Sequence, residues 1–370
     1  MTNSESSERL VYVGTYTRRE PHVGGKGEGI YQYRFDGTTG AMSLMGKVQG
    51  IVNPSFLAIH PTRRYLYCVN EIAGTDGKGS GAVSAFAIDR ASGALALLNQ
   101  QPAQGTSPCH LAIEPLGRCL LVANYGSGSV CVLPILEDGA LGPIADFVQH
   151  EGSSVNPQRQ QSPHPHSVNI APSGRLVYVP DLGLDKVMIY ELDAIQCKLK
   201  PYHEQPWART KSGAGPRHLA FHPSGRLIFV ANELDSTVTV FAVDEHKGTL
   251  REVQTISALP EDFHDKSWCA DIHVHPSGRV VYVSNRGHDS IAVFRIDESH
   301  GTITPIEYVS TLGKFPRNFA LDPAGRFLVA ANQNSDDMFV FHIDAKSGKL
   351  TPIGERIEVG TPVCVKFLGD

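Results

Sequence analysis

Residues 222–233 read HPSGRLIFVANE, and residues 275–286 read HPSGRVVYVSNR. The two stretches share a Pro-x-Gly-Arg turn and the apolar run after it, but they end on opposite charges, Glu233 and Arg286. The six copies of this pattern start at residues 60, 114, 171, 222, 275 and 322, so successive starts lie 47 to 57 residues apart. A period near 50 residues is typical of a solenoid, an array or a propeller.

Each copy predicts four short β-strands. A short strand such as RHLAFH (217–222) precedes the turn, and the β-branched run follows it. An alternating segment such as STVTVFAVD (236–244) then leads through a glycine turn into a fourth strand. One four-stranded sheet cannot bury both of its faces, but several sheets in a ring can. We therefore predict an all-β protein, a seven-bladed β-propeller of four-stranded antiparallel blades.

The two ends of the sequence supply the seventh blade. RLVYVGTYT (9–17) matches the strand after the turn, whereas TPVCVKFLGD (361–370) matches the strand before it. Joined in one blade, they would close the ring and remove its open sheet edges. We expect Val365 to pair near Val11–Val13, and one domain to span residues 1–370.

Composition excludes several classes of function. The chain has 370 residues, a formal net charge of −5 and no Lys/Arg run, so we expect no nucleic-acid partner. The first residues are polar and acidic, and no apolar run approaches the roughly 18 residues of a membrane helix. The seven cysteines are scattered without a CxxC motif. This pattern predicts reduced thiols, a cytoplasmic location and no membrane association.

Comparison of the copies separates scaffold from candidate site. The turn proline and arginine recur in all six copies, which indicates a structural role. The start of strand one and the end of strand two should meet at one mouth of the ring, and the residues there vary between copies. The candidates that this comparison places at the mouth are Glu71, His110, His166, Arg217, His218, Glu233, Arg286 and Arg317.

These residue types predict a small anionic ligand. Three arginines in one mouth suit a carboxylate or a phosphate, and a histidine beside them can exchange protons near neutral pH. The structural alternative is a salt-bridged plug in the central channel. HPH (164–166) and HVH (273–275) have a spacing that can hold a metal, but His275 occupies the same turn position as His60 and His222. We therefore expect no metal and no cofactor.

The stretches YVGTYT (12–17), HPHSVNIAPSGRLVYVPDLGLDKV (164–187), GPRHLAFHPSGRLIFVANEL (215–234) and VSNRGHDSIAVF (283–294) resemble the seven-bladed lactonase family. That family contains the propeller-type bacterial 6-phosphogluconolactonases and the fungal 3-carboxy-cis,cis-muconate cyclases. The resemblance covers nearly the whole chain, and both branches share its motifs. It implies four functional residues in one mouth: His166 of PHS, Arg217 of GPRH, Glu233 of NE and Arg286 of SNRG.

Three functions remain open at this stage. The favoured one is a lactonase that hydrolyses a sugar lactone, 6-phosphogluconolactone first among them, with His166 as general base and Glu233 orienting the water. Arg217 and Arg286 would stabilise the oxyanion and Arg317 would bind phosphate, while His218, Glu71 and His110 are further substrate-binding candidates. The alternatives are a 3-carboxy-cis,cis-muconate cyclase and a non-catalytic interaction module. The polar segment 151–167 enters beside His166, either as a cover for the ligand or as an ordinary connection.

Overall fold

The computed structural model describes residues 8–72, 79–244 and 246–369, and these residues form strands, turns and loops without a helix. Seven sheets follow one another along the chain, and we number them blades 1 to 7. Blade 1 contains β1 (Glu8–Thr15), β4 (Ile30–Asp36), β5 (Met42–Val48) and, as its inner strand, β31 (Pro362–Phe367). A small hairpin of β2 (Arg19–Glu20) and β3 (Val23–Gly24) stands between β1 and β4.

Blades 2 to 4 follow in sequence order from the inner strand outward. Blade 2 has β6 (Leu57–Ile59), β7 (Tyr65–Asn70), β8 (Ala82–Ile88) and β9 (Leu95–Pro102). Blade 3 has β10 (Pro108–Ile113), β11 (Cys119–Asn124), β12 (Ser129–Pro134) and β13 (Asp146–Gln149). Blade 4 has β14 (Asn169–Ile170), β15 (Leu176–Asp181), β16 (Lys186–Asp193) and an outer strand interrupted into β17 (Lys198–Pro201) and β18 (Trp207–Arg209).

Blades 5 to 7 repeat the same order. Blade 5 has β19 (Pro216–Phe221), β20 (Leu227–Asn232), β21 (Thr237–Val243) and β22 (Leu250–Ser257). Blade 6 has β23 (Trp268–Val274), β24 (Val280–Arg286), β25 (Ser290–Asp297) and β26 (Thr302–Ser310). Blade 7 has β27 (Pro316–Leu321), β28 (Phe327–Asn332), β29 (Asp337–Ile343) and β30 (Leu350–Glu358).

The predicted architecture is confirmed, including the closure by both terminal strands. β31 pairs antiparallel with β1, and Val365 lies opposite Val13 in the register that the sequence predicts. Val13 and Val365 are buried in one apolar cluster with Val329 of blade 7. The expected domain span of 1–370 also includes residues 1–7, 73–78, 245 and 370, which lie outside the described part of the chain.

The apolar run after each turn is buried on both of its faces. In LIFVAN (227–232) all six residues are buried. Ile228 packs in a cluster with Tyr178 of blade 4, whereas its neighbour Phe229 packs with Phe294 of blade 6. Because both faces meet a neighbouring sheet, the strand is apolar throughout and does not alternate.

The turn histidines link one blade to the next. His222 donates from Nε2 to the carbonyl oxygen of Gly278, 2.8 Å away, and its Nδ1 accepts from the hydroxyl of Ser224. His275 makes the same contacts with Gly325 and Ser277, so the structural role predicted for His275 is confirmed. The glycine of each next turn has a positive φ, and its lack of a Cβ leaves room for the incoming imidazole.

Two turn glycines form a matched pair for testing this link. Gly225 and Gly278 have φ angles of 75° and 71°, so alanine at either position costs about 1–2 kcal/mol of backbone strain. A Cβ on Gly278 would lie 2.7 Å from Nε2 of His222, whereas a Cβ on Gly225 meets nothing within 4 Å. We expect Gly278→Ala to lower the free energy of unfolding by about 1 kcal/mol more than Gly225→Ala, because it also displaces the hydrogen bond. Equal losses in urea unfolding would contradict the inter-blade role.

Candidate active site

The inner strands of blades 3, 5 and 7 begin at one mouth of the ring with a one-residue shift in register. Pro216 lies opposite Asn232 but His218 lies opposite Ala231, so Arg217 is an extra residue in the strand. Blade 7 shows the same one-residue shift at Arg317. Such a bulge redirects side chains out of the regular alternation. It brings the residue after the recurring proline to the mouth.

The mouth contains a cavity of about 480 Å³. Of the eight predicted site residues, five line it: Glu71, His166, Glu233, Arg286 and Arg317. Arg217 and His218 lie beneath, around a second void of about 10 Å³ that Glu71 and Arg317 also border. His110 lines neither cavity. Its ring lies 4.1 Å from that of Phe56, and its Nδ1 accepts from the backbone N–H of Val168.

Glu233 is the centre of the charged cluster. Its Oε2 lies 3.0 Å from Nε of Arg217 and 2.8 Å from Nη2 of Arg286. Its Oε1 lies 2.7 Å from Nη2 of Arg159. Burial alone would raise the pKa of Glu233, but Arg286, Arg217 and Arg159 outweigh it and hold the pKa far below its usual range. Glu233 therefore stays ionised.

Arg286 makes several contacts in the site, but not all of its N–H donors are used. Its Nη2 also donates to the carbonyl oxygen of Cys269, 2.9 Å away, and its guanidinium carbon lies 5.3 Å from the ring centre of Phe315. Its Nε is buried without a hydrogen-bond partner among the described residues. An unpartnered buried donor of a charged group is costly, which favours a ligand or water at this guanidinium.

His166 is a buried imidazole at the wall of the cavity. Its ring meets the edge of Tyr125 at 5.2 Å, and its Nδ1 lies 3.7 Å from Sγ of Cys109. Its Nε2 has no hydrogen-bond partner within the described ranges. Burial first, then the charges of Arg217, His218 and Arg317, lower the pKa of His166 well below its usual range. It is therefore neutral near pH 7 and able to accept a proton. Burial raises the pKa of the Cys109 thiol, so it is protonated and inert.

Arg317 lies on the other side of the ring. Its Nη2 donates to the hydroxyl of Tyr16, 3.3 Å away, and its guanidinium stacks over the Tyr16 ring. In the part of the chain that the structure describes, no carboxylate lies within ion-pair distance of Arg317. His22, from the turn of the β2–β3 hairpin, also contacts Tyr16 at 3.3 Å and lies 3.8 Å from Glu71. This wall can therefore receive an anion.

A polar layer closes the channel beneath the cavity. Asp271 accepts from Nδ1 of His218 at 2.8 Å and from Nε2 of His273 at 3.0 Å, and Asn318 also donates to it. Burial and Arg217 lower the pKa of His218 to about 4. His218 is thus committed to Asp271, below the cavity.

Comparison with known proteins identifies the family of the chain. The family model "Lactonase, 7-bladed beta-propeller" matches residues 10–367. The chain belongs to this family. It is 39% identical to a 6-phosphogluconolactonase of Bacillus subtilis (strain 168), with 97% of this chain and 98% of that protein covered. A 6-phosphogluconolactonase of Serratia proteamaculans (strain 568) is 35% identical over 85% of each chain. The structure of a periplasmic gluconolactonase from Pseudomonas aeruginosa superimposes with a TM-score of 0.90 at 37% identity, covering 98% of this chain and 99% of that one.

Several cavity residues of this lactonase-family propeller escaped the sequence comparison. Segment 151–167 contributes Arg159, which lies in a connection between blades 3 and 4 and has no equivalent in the repeat. His22 belongs to the β2–β3 hairpin added after β1, and it contacts Tyr16, which follows β1 and lies behind the cavity wall. Trp268 precedes Cys269, which replaces the recurring proline, and Phe315 precedes Pro316. Both were missed because only the residues after the proline were compared between copies. No helix able to cross a membrane occurs within the described ranges.

The Glu233 cluster makes stability depend on acid pH. Because its folded pKa is depressed, Glu233 stabilises the protein above its unfolded pKa of about 4.3, and this contribution is lost as pH falls below that value. We expect Glu233→Gln to be less stable than the wild type at pH 7 but to lose less stability between pH 5 and pH 3. Thermal unfolding across this range measures it. Glu358→Gln, at an exposed ion pair with Arg356, should follow the wild-type curve.

Proposed function

We propose that this propeller hydrolyses a sugar lactone, with 6-phosphogluconolactone as substrate and 6-phosphogluconate as product. The observation that carries the proposal is a neutral imidazole, His166, in one cavity with two arginines. Arg286 has a buried Nε without a partner among the described residues, and Arg317 contacts a hydroxyl but no carboxylate among them. A base, an oxyanion donor and an anion receptor are the parts that the hydrolysis of an anionic ester needs. The names of the bacterial relatives support the same reaction.

His166 takes a proton from water while the water oxygen attacks the lactone carbonyl carbon. Arg286 donates to the carbonyl oxygen as it becomes negative. The acyl–oxygen bond then breaks, and His166 returns the proton to the ring oxygen. The carboxylic acid so formed loses its proton to solvent at neutral pH.

Glu233 receives a different role from the one expected. Both of its oxygens accept from guanidiniums in the free protein, so it has little capacity left to orient water. We assign to Glu233 the task of holding Arg217 and Arg286 in place. Arg217 is 2% exposed beneath the cavity and donates to the carbonyl oxygen of Ala270, so it supports this arrangement from below.

Arg317 is our candidate for the substrate phosphate, because its guanidinium has no carboxylate partner in the described residues. An unphosphorylated lactone is the second candidate, favoured by the nearby negative charges of Glu71 and Glu20 and by the gluconolactonase among the structural relatives. The cytoplasmic location expected from the sequence stays a prediction, and that relative is described as periplasmic.

One assay panel tests the proposal. Purified protein is offered 6-phosphogluconolactone, gluconolactone and 3-carboxymuconate, with and without chelator, and spontaneous hydrolysis is subtracted. We expect turnover of the phosphorylated lactone, unchanged by chelator. Turnover of the muconate alone would establish the cyclase, and turnover of none would favour a non-catalytic module.

Variants of two arginines in blade 6 distinguish a catalytic role from a structural one. Arg286→Ala should lower kcat by about 10²–10³-fold, the usual cost of a lost oxyanion donor. Arg279→Ala is the matched control, because Arg279 is exposed and its side chain, among the described residues, donates only to Ser277 and to the carbonyl oxygen of Ala345. Its kcat should equal that of the wild type. Similar kcat values for the two variants would contradict the assignment of Arg286.

The pH profile tests the base. His166 acts in its neutral form, and its pKa is depressed, so activity should persist as pH falls through 6.5 and decline only at lower pH. His166→Gln should abolish this acid limb together with most of the turnover. His164→Gln alters a nearby imidazole that is stacked on Tyr125, and it should leave the limb in place. An acid limb above pH 6.5 in the wild type would exclude His166 as the depressed base.

A further inference from the structure

Arg159 differs from the other two guanidiniums on Glu233. The side chains of Arg217 and Arg286 are 2% and 6% exposed, whereas that of Arg159 is 38% exposed. Its Nη2 is shared between Oε1 of Glu233 at 2.7 Å and the hydroxyl of Tyr125 at 3.2 Å. Arg159 therefore binds Glu233 from the solvent-accessible side of the cavity.

The backbone beneath Arg159 is held firmly. Asn156 Oδ1 accepts from the backbone N–H groups of Gln158 and Arg159 at 3.0 and 3.1 Å. The fully buried Gln160 donates to the carbonyl oxygen of Leu182, and Ser154 donates to Asp185. With the loop anchored on both sides, movement of Arg159 is confined to its side chain.

The position of Arg159 is next to the proposed base. The Tyr125 hydroxyl that it contacts belongs to the ring whose edge meets His166 at 5.2 Å. Arg317, by contrast, comes from blade 7 and contacts Tyr16. The cavity thus offers one accessible guanidinium near the base and another across the ring.

Glu233 does not depend on Arg159 for its counter-charge. When Arg159 leaves Oε1, Arg217 and Arg286 still bind Oε2, so the carboxylate keeps two cationic partners. Arg159 can therefore leave Glu233 and bind another anion without leaving the buried carboxylate of Glu233 unpaired. A neutral carbonyl oxygen cannot compete with Glu233 for Arg159, but a full oxyanion can.

We infer that Arg159 is a further catalytic residue of the proposed reaction, on which this inference rests. As charge develops on the lactone carbonyl oxygen, the guanidinium of Arg159 passes from Glu233 to that oxygen, and it then binds the carboxylate of the product. No proton or electron is transferred by Arg159. Because the contact forms only as charge appears, it stabilises the transition state more than the bound lactone.

The kinetic test uses Arg159→Gln with 6-phosphogluconolactone. We expect kcat to fall by about 10²-fold with KM within about threefold of the wild-type value, the pattern of a contact made only in the transition state. Added guanidinium ion should restore part of kcat in Arg159→Gly. The matched control is Arg356→Gln, since Arg356 is also a half-exposed arginine paired with a buried carboxylate, Asp337. It should leave kcat unchanged, because Arg356 does not line the cavity of the mouth.

A binding test separates this inference from the proposed function. Calorimetry without turnover compares 6-phosphogluconate with inorganic phosphate. Arg159→Gln should weaken 6-phosphogluconate binding by about tenfold or more and leave phosphate binding unchanged. An unchanged kcat, or a reduced kcat with neither guanidinium rescue nor weaker 6-phosphogluconate binding, would overturn the role of Arg159. Wild-type protein that turns over no lactone would instead refute the proposed function.

Discussion

The geometry of the mouth depends on one backbone constraint, the extra residue that begins the inner strands of blades 3, 5 and 7. In a regular strand, neighbouring side chains point to opposite faces, and both faces of these strands would be consumed by blade packing. The bulges in blades 5 and 7 release Arg217 and Arg317 from that packing and direct the following residues, His218 and Asn318, into the channel. Ring closure through β1 and β31 then brings these strand starts together. The backbone of the scaffold therefore fixes which positions face the mouth, whichever residues occupy them.

The rim also contains backbone strain that the scaffold must support. The residue before the recurring proline has a positive φ at Asn53, Ser107, Phe315 and Thr361. A bulky residue such as Phe315 seldom adopts this conformation, and such strain is typical of functional sites. The ring of Phe315 packs against the guanidinium of Arg286, so the strained residue helps to position a buried charge. The strain and the desolvation of Arg217, Arg286 and Glu233 are offset elsewhere, in the apolar clusters between blades and in the histidine–carbonyl links on the turns.

The internal repeat explains how much the sequence could predict. The fold, the shared terminal blade and the register of Val365 against Val13 all follow from aligning copies, because every blade meets the same packing requirement. The same alignment finds variable positions at the mouth, and five of its eight candidates line the cavity. The alignment cannot predict how far below the mouth each side chain lies, because that depends on the direction of the side chain at the bulge. Arg217 and His218 lie below the cavity, and His110 lies beside Phe56. Aligning the copies gives no information about segments that lie outside the repeat. Arg159 and His22 lie in such segments, so only the structure places them at the cavity.

The distribution of charge distinguishes the cavity from a salt-bridged plug. In a plug each charge is matched and each donor is used, as Asp271 is with His218, His273 and Asn318 beneath the cavity. At the level of the cavity the matching is incomplete: Glu233 faces three guanidiniums, Arg286 retains a buried unpartnered Nε, and Arg317 contacts a hydroxyl rather than a carboxylate. Unmatched buried donors lower the stability of the free protein, so their persistence is best explained by a ligand that pairs with them. Arginine donors left without a partner beside a neutral imidazole suit a substrate that arrives with one negative charge centre and gains another as it reacts.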